Sequence, residues 1–346
     1  MRAFYLHKDI HPSELPSTLS SDVPEPKCDP GSTQVLVDVH SAALNFFDIL
    51  AVQGKYQNKT PHPYVPGVEM AGIISKDSPI PEGCDFVPGK TRVFGAVQGA
   101  YGEKAKADFW QLMVVPDGMS LEAASGLFVT WPTSYAALKF RADVQPGEWV
   151  LVHAGAGGVG ICAIQIAKAM GAKVIATAGS PDKLKVCKEV GGADYAISYR
   201  DNDWQKQVKQ ITEGHGVDVV YDPVGMIIPS LKVIAWNGRL IVVGFAAGTI
   251  EKIPANLILL KNIAVTGCHW GAYSKNEVDK IPETWEGLMA MFAQKKITPT
   301  VFEHIYEGLE SMPQGLKDLG DRKTWGKAIV RIRADPEHPP RGKNKL

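Results

Sequence analysis

Residues 150–178 read VLVHAGAGGVGICAIQIAKAMGAKVIATA, and their order of elements decides the fold. A β-branched run gives way to glycines, then to a helical stretch from Val159 to Met170, a glycine stop at Gly171 and a second β-branched run. Gly155, Gly157 and Gly160 stand in Gly-x-Gly-x-x-Gly spacing where strand becomes helix. In a dinucleotide site the first glycine permits the turn, the second lets a pyrophosphate approach the backbone, and the third lets the helix pack on the strand. Backbone N–H groups around Gly158, Val159 and Gly160, with the positive end of the helix, would hold the phosphates.

Outward from this stretch the alternation continues. WVLVHA, KVIATA, DYAIS, VDVVYD, RLIVVGF and NIAVTGC read as six strands, separated by helical segments that include Trp204 to Ile211 and Ile227 to Ala235. Parallel neighbours need crossovers of about a dozen residues, so the pattern predicts a doubly wound parallel α/β sheet. The continuous apolar character of VLVHA and LIVVG fits strands covered on both faces. Before residue 130 the texture changes to short strands such as QVLVDVH and GIISK among many prolines and glycines, which predicts a mainly β domain. An amphipathic stretch, TWEGLMAMFAQ, and a last strand, KAIVRIR, suit a return to that first domain. The expected division is 1–128, 129–275 and a returning segment 276–346.

Lys plus Arg and Asp plus Glu number 37 each, so no global field favours nucleic acid or an anionic membrane. No apolar run reaches the roughly 18 residues that span a bilayer, and MRAFYLHKDIHPSEL carries charges where a signal peptide needs an apolar core. The five cysteines are widely spaced and form no CxxC pair, against a disulfide framework or a structural zinc site. A soluble cytoplasmic protein is expected. Peroxisomal import is the alternative, because Asn344, Lys345 and Leu346 resemble a Ser-Lys-Leu tail with Asn in place of the small residue.

The end of the second strand discriminates between cofactors. An NAD site places Asp or Glu there to accept the ribose hydroxyls, and that carboxylate repels a 2′-phosphate. Here the stretch is ATAGSPDK: Gly179 and Ser180 offer room and donors, Lys183 offers charge, and Asp182 lies where it can point outward. NADPH is the expected cofactor. The plain alternative for Lys183 is a solvated helix lysine.

Taken together, SAALNFFDIL, PYVPGVEMAG, LVHAGAGGVG, GVDVVYDPVG, GRLIVVGFAAG and WGKAIV resemble the zinc-independent quinone oxidoreductases, similar to ζ-crystallin, of the medium-chain dehydrogenase/reductase superfamily. The resemblance implies a GroES-like catalytic domain, a Rossmann domain and a homodimer, for which NIAVTGCHW would serve as the edge strand. Zinc-dependent relatives carry Cys in the first motif and Gly-His-Glu in the second. This chain has Asn45 and Val68 there, which leaves Glu69 as a lone carboxylate and predicts no metal. The resemblance further implies that Asn45, Asp48, Tyr56 and Thr133 line the nicotinamide and substrate cleft, with Thr130 a neighbour. It places Lys183 and Tyr199 on the 2′-phosphate, and Val243 and Phe245 beside the nicotinamide. Each has a bland counterpart: Asn45 a turn residue, Asp48 a helix-start charge, Tyr56 a half-buried rim aromatic. His153, on a buried strand, and His269 are read as structural.

The expected reaction is hydride transfer from NADPH to a quinone in the crevice between the domains. A hydroquinone anion can take its proton from water, so the chemistry needs positioning more than a strong acid. Reduction of an enal, enone or enoyl double bond is the second reading. A non-catalytic NADPH- or RNA-binding role is the third, and the neutral net charge argues weakly against the RNA.

Overall fold

The computed structural model describes residues 1–57, 59–248 and 250–339, so the Asn344–Lys345–Leu346 tail lies outside the described residues. The chain forms two units. One is Met1–Val129 joined by the chain from Val301 onward, and the other is Thr130–Thr300.

In the second unit six strands pair in parallel, in the order Tyr195–Ser198, Lys173–Ala178, Trp149–Val152, Val217–Asp222, Ile234–Val242 and Ala264–Gly267. All six predicted strands are present. Val150, Leu151 and Val152 have no exposed surface, because helices such as Gly158–Ala169 cover the sheet with Ile161, Ala163, Ile164 and Ile166. The fifth strand begins five residues before Arg239, where its apolar run starts. Its register against the fourth shifts between Val217↔Ile234 and Val219↔Arg239, and the excess chain loops out at Trp236–Gly238 with Asn237 left-handed at φ 62°.

The helix Lys280–Ala293 departs from the expected division. It packs within the second unit on the helix Thr130–Ala136, with Trp131 and Phe292 edge-to-face at 5.0 Å. Gly287 lies against the Tyr135 hydroxyl so closely that any Cβ would collide with it. The chain therefore re-enters the first unit at residue 301, not 276.

The first unit is a mostly antiparallel sheet in the order Tyr306–Glu307, Ile329–Arg331, Gln34–Ala43, Glu69–Ile74, Arg92–Ala96 and Leu112–Val114, with Lys104–Asp108 also pairing the long strand. Alternate residues Val35, Val37 and Val39 face a core shared with Leu6, Met70, Tyr101, Leu316 and Val330. Gly67, at φ 81°, turns the chain directly over the Tyr101 ring, a position no side chain could share.

A buried ion pair ties down the end of the described chain. Asp335, 1% exposed, accepts from Arg92 at 2.8 Å and from the Leu121 N–H at 2.8 Å, while Glu337 meets Arg92 from a solvated position. Removing one partner of a buried pair strands the other charge at a cost of about 3–5 kcal/mol, whereas exposed pairs contribute under about 1 kcal/mol. Asp335→Ala is expected to lose that larger amount in urea unfolding and Glu337→Ala the smaller. Equal losses would refute this account.

Candidate active site

The glycine loop of the second unit is built as follows. The strand Trp149–Val152 ends at His153, and the left-handed residue of the turn is Ala154, at φ 48°. Gly155, expected to permit the turn, is required for packing instead: a Cβ there would lie 2.9 Å from Ala176, 3.0 Å from Cys187 and 3.0 Å from Ile164. Gly160 has the role expected of it, since a Cβ would strike the Ala154 carbonyl and force the helix off the strand. Gly157 is exposed and begins the helix with no side-chain cap. The N–H groups at Gly158 and Val159 stand without a side-chain cap at the positive end of a twelve-residue helix, a setting that favours an anion.

At the end of the next strand, Gly179 lies beneath the Tyr199 hydroxyl, where a Cβ would overlap it. Ser180 caps the following helix by accepting from the Lys183 N–H at 3.4 Å. These contacts bring Gly179, Ser180, Lys183 and Tyr199 to one strand end. Asp182 is exposed at the first helical turn, as its outward reading required.

The helix Thr130–Ala136 is fastened to the glycine-loop helix by Ser134, whose hydroxyl donates to the Val159 carbonyl at 2.9 Å and meets Tyr221 at 3.0 Å. Thr133 is partly exposed on that helix, and its carbonyl receives Cys268. Thr130 is 4% exposed, with Cys162 directed at its hydroxyl at 3.5 Å. Val243 donates to the Asp222 carbonyl, and Phe245 is exposed past the strand end. Asp222, which sequence reasoning passed over, folds the loop before them by accepting from the N–H groups of Val224, Gly225 and Met226. His153 is wholly buried between Thr177 at 2.9 Å and Ser230 at 2.7 Å, and burial pushes it down to about 3. It is a neutral core group.

In the first unit Asn45 begins the helix Phe46–Ala51 and is 6% exposed. Its amide nitrogen donates to Glu69 at 2.9 Å, and its oxygen accepts from Lys327 at 2.7 Å. Lys327 meets Glu69 at 2.8 Å, with side-chain exposures of 4% and 0%, and the other Glu69 oxygen accepts from the Val129 N–H at 2.9 Å. The lone carboxylate of the sequence is therefore fully engaged. Asp48, 2% exposed, accepts from Tyr101 at 2.7 Å and from the Asn45 backbone N–H at 2.8 Å. Burial raises it to about 7 against the lowering effect of those hydrogen bonds. Asp48 thus holds the start of the helix and does not line an open surface. Tyr56 stacks on Phe47 at 5.2 Å, and its phenol is raised by burial and by Asp48. It borders a cavity of about 140 Å³ with Asp9, Thr60, His62 and Tyr64. Lys327 and Tyr101 escaped the sequence reading. The signal for Lys327 was a cation opening an otherwise apolar strand, KAIV, when VEMAG opens another with an acid.

Comparison with known proteins gives this geometry a context. Residues 31–117 match the family described as the alcohol dehydrogenase GroES-like domain, and residues 158–294 match the zinc-binding dehydrogenase family. Zinc does not fit the residues present. A catalytic zinc needs about three protein ligands with an open position. Here Glu69 is occupied by an ammonium and an amide, and among the described residues no group of three His, Cys, Asp or Glu could hold a metal ion. The chain is 36% identical over 309 residues to quinone oxidoreductase-like protein 2 homolog of Nematostella vectensis, covering 87% of this chain and 82% of that one. It is 35% identical over 327 residues to quinone oxidoreductase-like protein 2 of Mus musculus, with 92% and 89% covered. The quinone oxidoreductase of Thermus thermophilus, solved also in complex with NADPH, superposes with a TM-score of 0.80 at 30% identity over 96% of this chain and 100% of that one. Both halves of the chain and its near full-length likeness to these proteins lead to one conclusion: it belongs to the quinone oxidoreductase group of the medium-chain dehydrogenase/reductase superfamily and is an oxidoreductase.

Proposed function

We propose that the protein transfers a hydride from NADPH to a quinone without a metal ion. The observation that carries the reading is the carboxylate-free strand end where Gly179, Ser180, Lys183 and Tyr199 meet, beside an uncapped, glycine-lined helix start. The Thermus relative's complex with NADPH and the names of the curated relatives support it.

The N–H groups at Gly158, Val159 and Gly160 hold the pyrophosphate, with Gly157 letting it approach the backbone and Gly155 keeping the loop close to the sheet. Ser180, Lys183 and Tyr199 take the 2′-phosphate by charge-assisted hydrogen bonds. Thr133, Val243 and Phe245 flank the nicotinamide, and Thr130 supports that helix from within. Bound NADPH supplies the hydride. Asn45 and Tyr56 donate hydrogen bonds to the quinone oxygen as it gains charge, and Asp48 keeps the Asn45 backbone in place. Water protonates the hydroquinone anion, so no strong acid is required. The protein acts in the cytoplasm as a homodimer joined along the edge strand Ala264–Gly267, whose backbone groups are open on one side.

Initial rates of NADPH and NADH oxidation with 1,2- and 1,4-quinones, in the presence of a chelator, test this reading. Quinone-dependent rates that prefer NADPH are expected. A charge-assisted contact contributes about 1.5–3 kcal/mol, so Lys183→Ala should lower kcat/KM for NADPH about 10–100-fold and leave NADH nearly unchanged. Equal losses for both cofactors would remove Lys183 from the 2′-phosphate.

Asp48 provides a second check. A folded-state value of about 7 against an ordinary 3.8 means that the folded protein keeps a proton the unfolded chain has released. This group's contribution to stability is therefore intact below about pH 4 and declines as pH rises toward 7. Asp48→Asn should gain on wild type across that window by about 1.4 kcal/mol per pH unit in denaturant titrations. A difference that does not vary with pH would show that Asp48 is ionised in the fold.

A further inference from the structure

We infer that Lys327, held by Glu69, is a positioning residue that makes Asn45 an oriented, polarised donor for the acceptor's oxygen. The inference rests on the hydride transfer proposed above and extends it to two residues that do not touch the substrate.

A side-chain amide has two N–H donors and one carbonyl acceptor. The Asn45 carbonyl accepts from Lys327 at 2.7 Å, and one N–H donates to Glu69 at 2.9 Å. The second N–H has no acceptor among the described residues, although the residue is only 6% exposed. The two charged neighbours fix which end of the amide is which. Turned over, Asn45 would present its carbonyl to a carboxylate and its NH₂ to an ammonium, so the open N–H has one direction.

Those neighbours are themselves immobile. The Lys327 side chain is 4% exposed and also approaches the Leu44 carbonyl at 3.4 Å. Glu69, with no exposed surface, is held at its second oxygen by the Val129 N–H at 2.9 Å. In so dry a setting the ammonium draws electron density through the amide from nitrogen to oxygen, and the remaining N–H becomes a stronger donor. A donor fixed before reaction stabilises an oxyanion without reorganising when the charge appears. Such a pair contributes little net stability relative to well-packed apolar residues, which makes its effect on Asn45 separable from folding.

The test is a double-mutant cycle on kcat with 1,4-benzoquinone, using Lys327→Met, Asn45→Ala and the two combined. Each single change should lower kcat about 10–100-fold with the Kd for NADPH unchanged, and the combination should be no worse than Asn45→Ala alone. Multiplying effects would overturn the inference. Because Lys327→Met strands Glu69 and can fail to fold, Glu69→Gln with Lys327→Met serves as the second variant. It should regain the thermal stability of wild type while kcat stays low; recovery of both would mean that the pair only supports the fold. Wild type that reduces a 2-alkenal but no quinone would sink the quinone reading alone. The same cycle on the alkenal, whose carbonyl oxygen takes the charge, would then decide the inference. Wild type that reduces neither overturns both.

Discussion

A lysine ammonium and a glutamate carboxylate, 258 positions apart in the chain and 2.8 Å apart in the fold, close the first unit. Three neighbouring strands bring them together: Ile329 pairs with Ala43, and Ala43 pairs with Glu69. Lys327, Asn45 and Glu69 consequently emerge at the same end of the same sheet. Neither charge would be tolerated there alone, because an unpaired ion in a dry interior costs several kcal/mol. The pairing joins the start of the returning strand, through Asn45, to the start of the helix that carries Asp48. The chain between, residues 130–300, is a unit with a core of its own.

That second unit works on a different constraint. Its strands are buried on both faces, so polar function is confined to the strand ends, and the glycine loop shows how closely the confinement is drawn. Ala154 takes the left-handed turn, which leaves Gly155 and Gly160 to bring strand, loop and helix within contact distances that a methyl group would break. The helix N-terminus is left without a side-chain cap. At the end of the next strand, Tyr199 lies over Gly179 and Ser180 caps the next helix, with Asp182 exposed in its first turn.

The sequence disclosed whatever is local or periodic. The six parallel strands were legible because each is a short apolar run followed by a crossover of helical period. The cofactor loop was legible because its spacing sits between a strand and a helix. The helix Lys280–Ala293 was assigned to the wrong unit because amphipathicity shows that a face is buried without showing against what; Trp131 and Tyr135, far earlier in the chain, supply that answer. The Asn45 site was half legible. Its replacement of a zinc ligand could be read, but its partner Lys327 lies 282 residues away and no local pattern joins them.

The carboxylates Asp48 and Glu69 show what that distant partner accomplishes. Both are buried in the first unit, and Glu69 adds to the burial that disfavours the Asp48 charge. Glu69 faces an ammonium at 2.8 Å and an amide N–H, a setting that compensates a negative charge. Asp48 accepts from neutral donors, the Tyr101 hydroxyl and a backbone N–H, and burial outweighs these and the attraction of Lys327, raising it to about 7. Unlike partners fit two neighbouring acids to different places in the structure. Glu69 holds the Asn45 amide, while Asp48 secures the backbone beneath it through the Asn45 N–H.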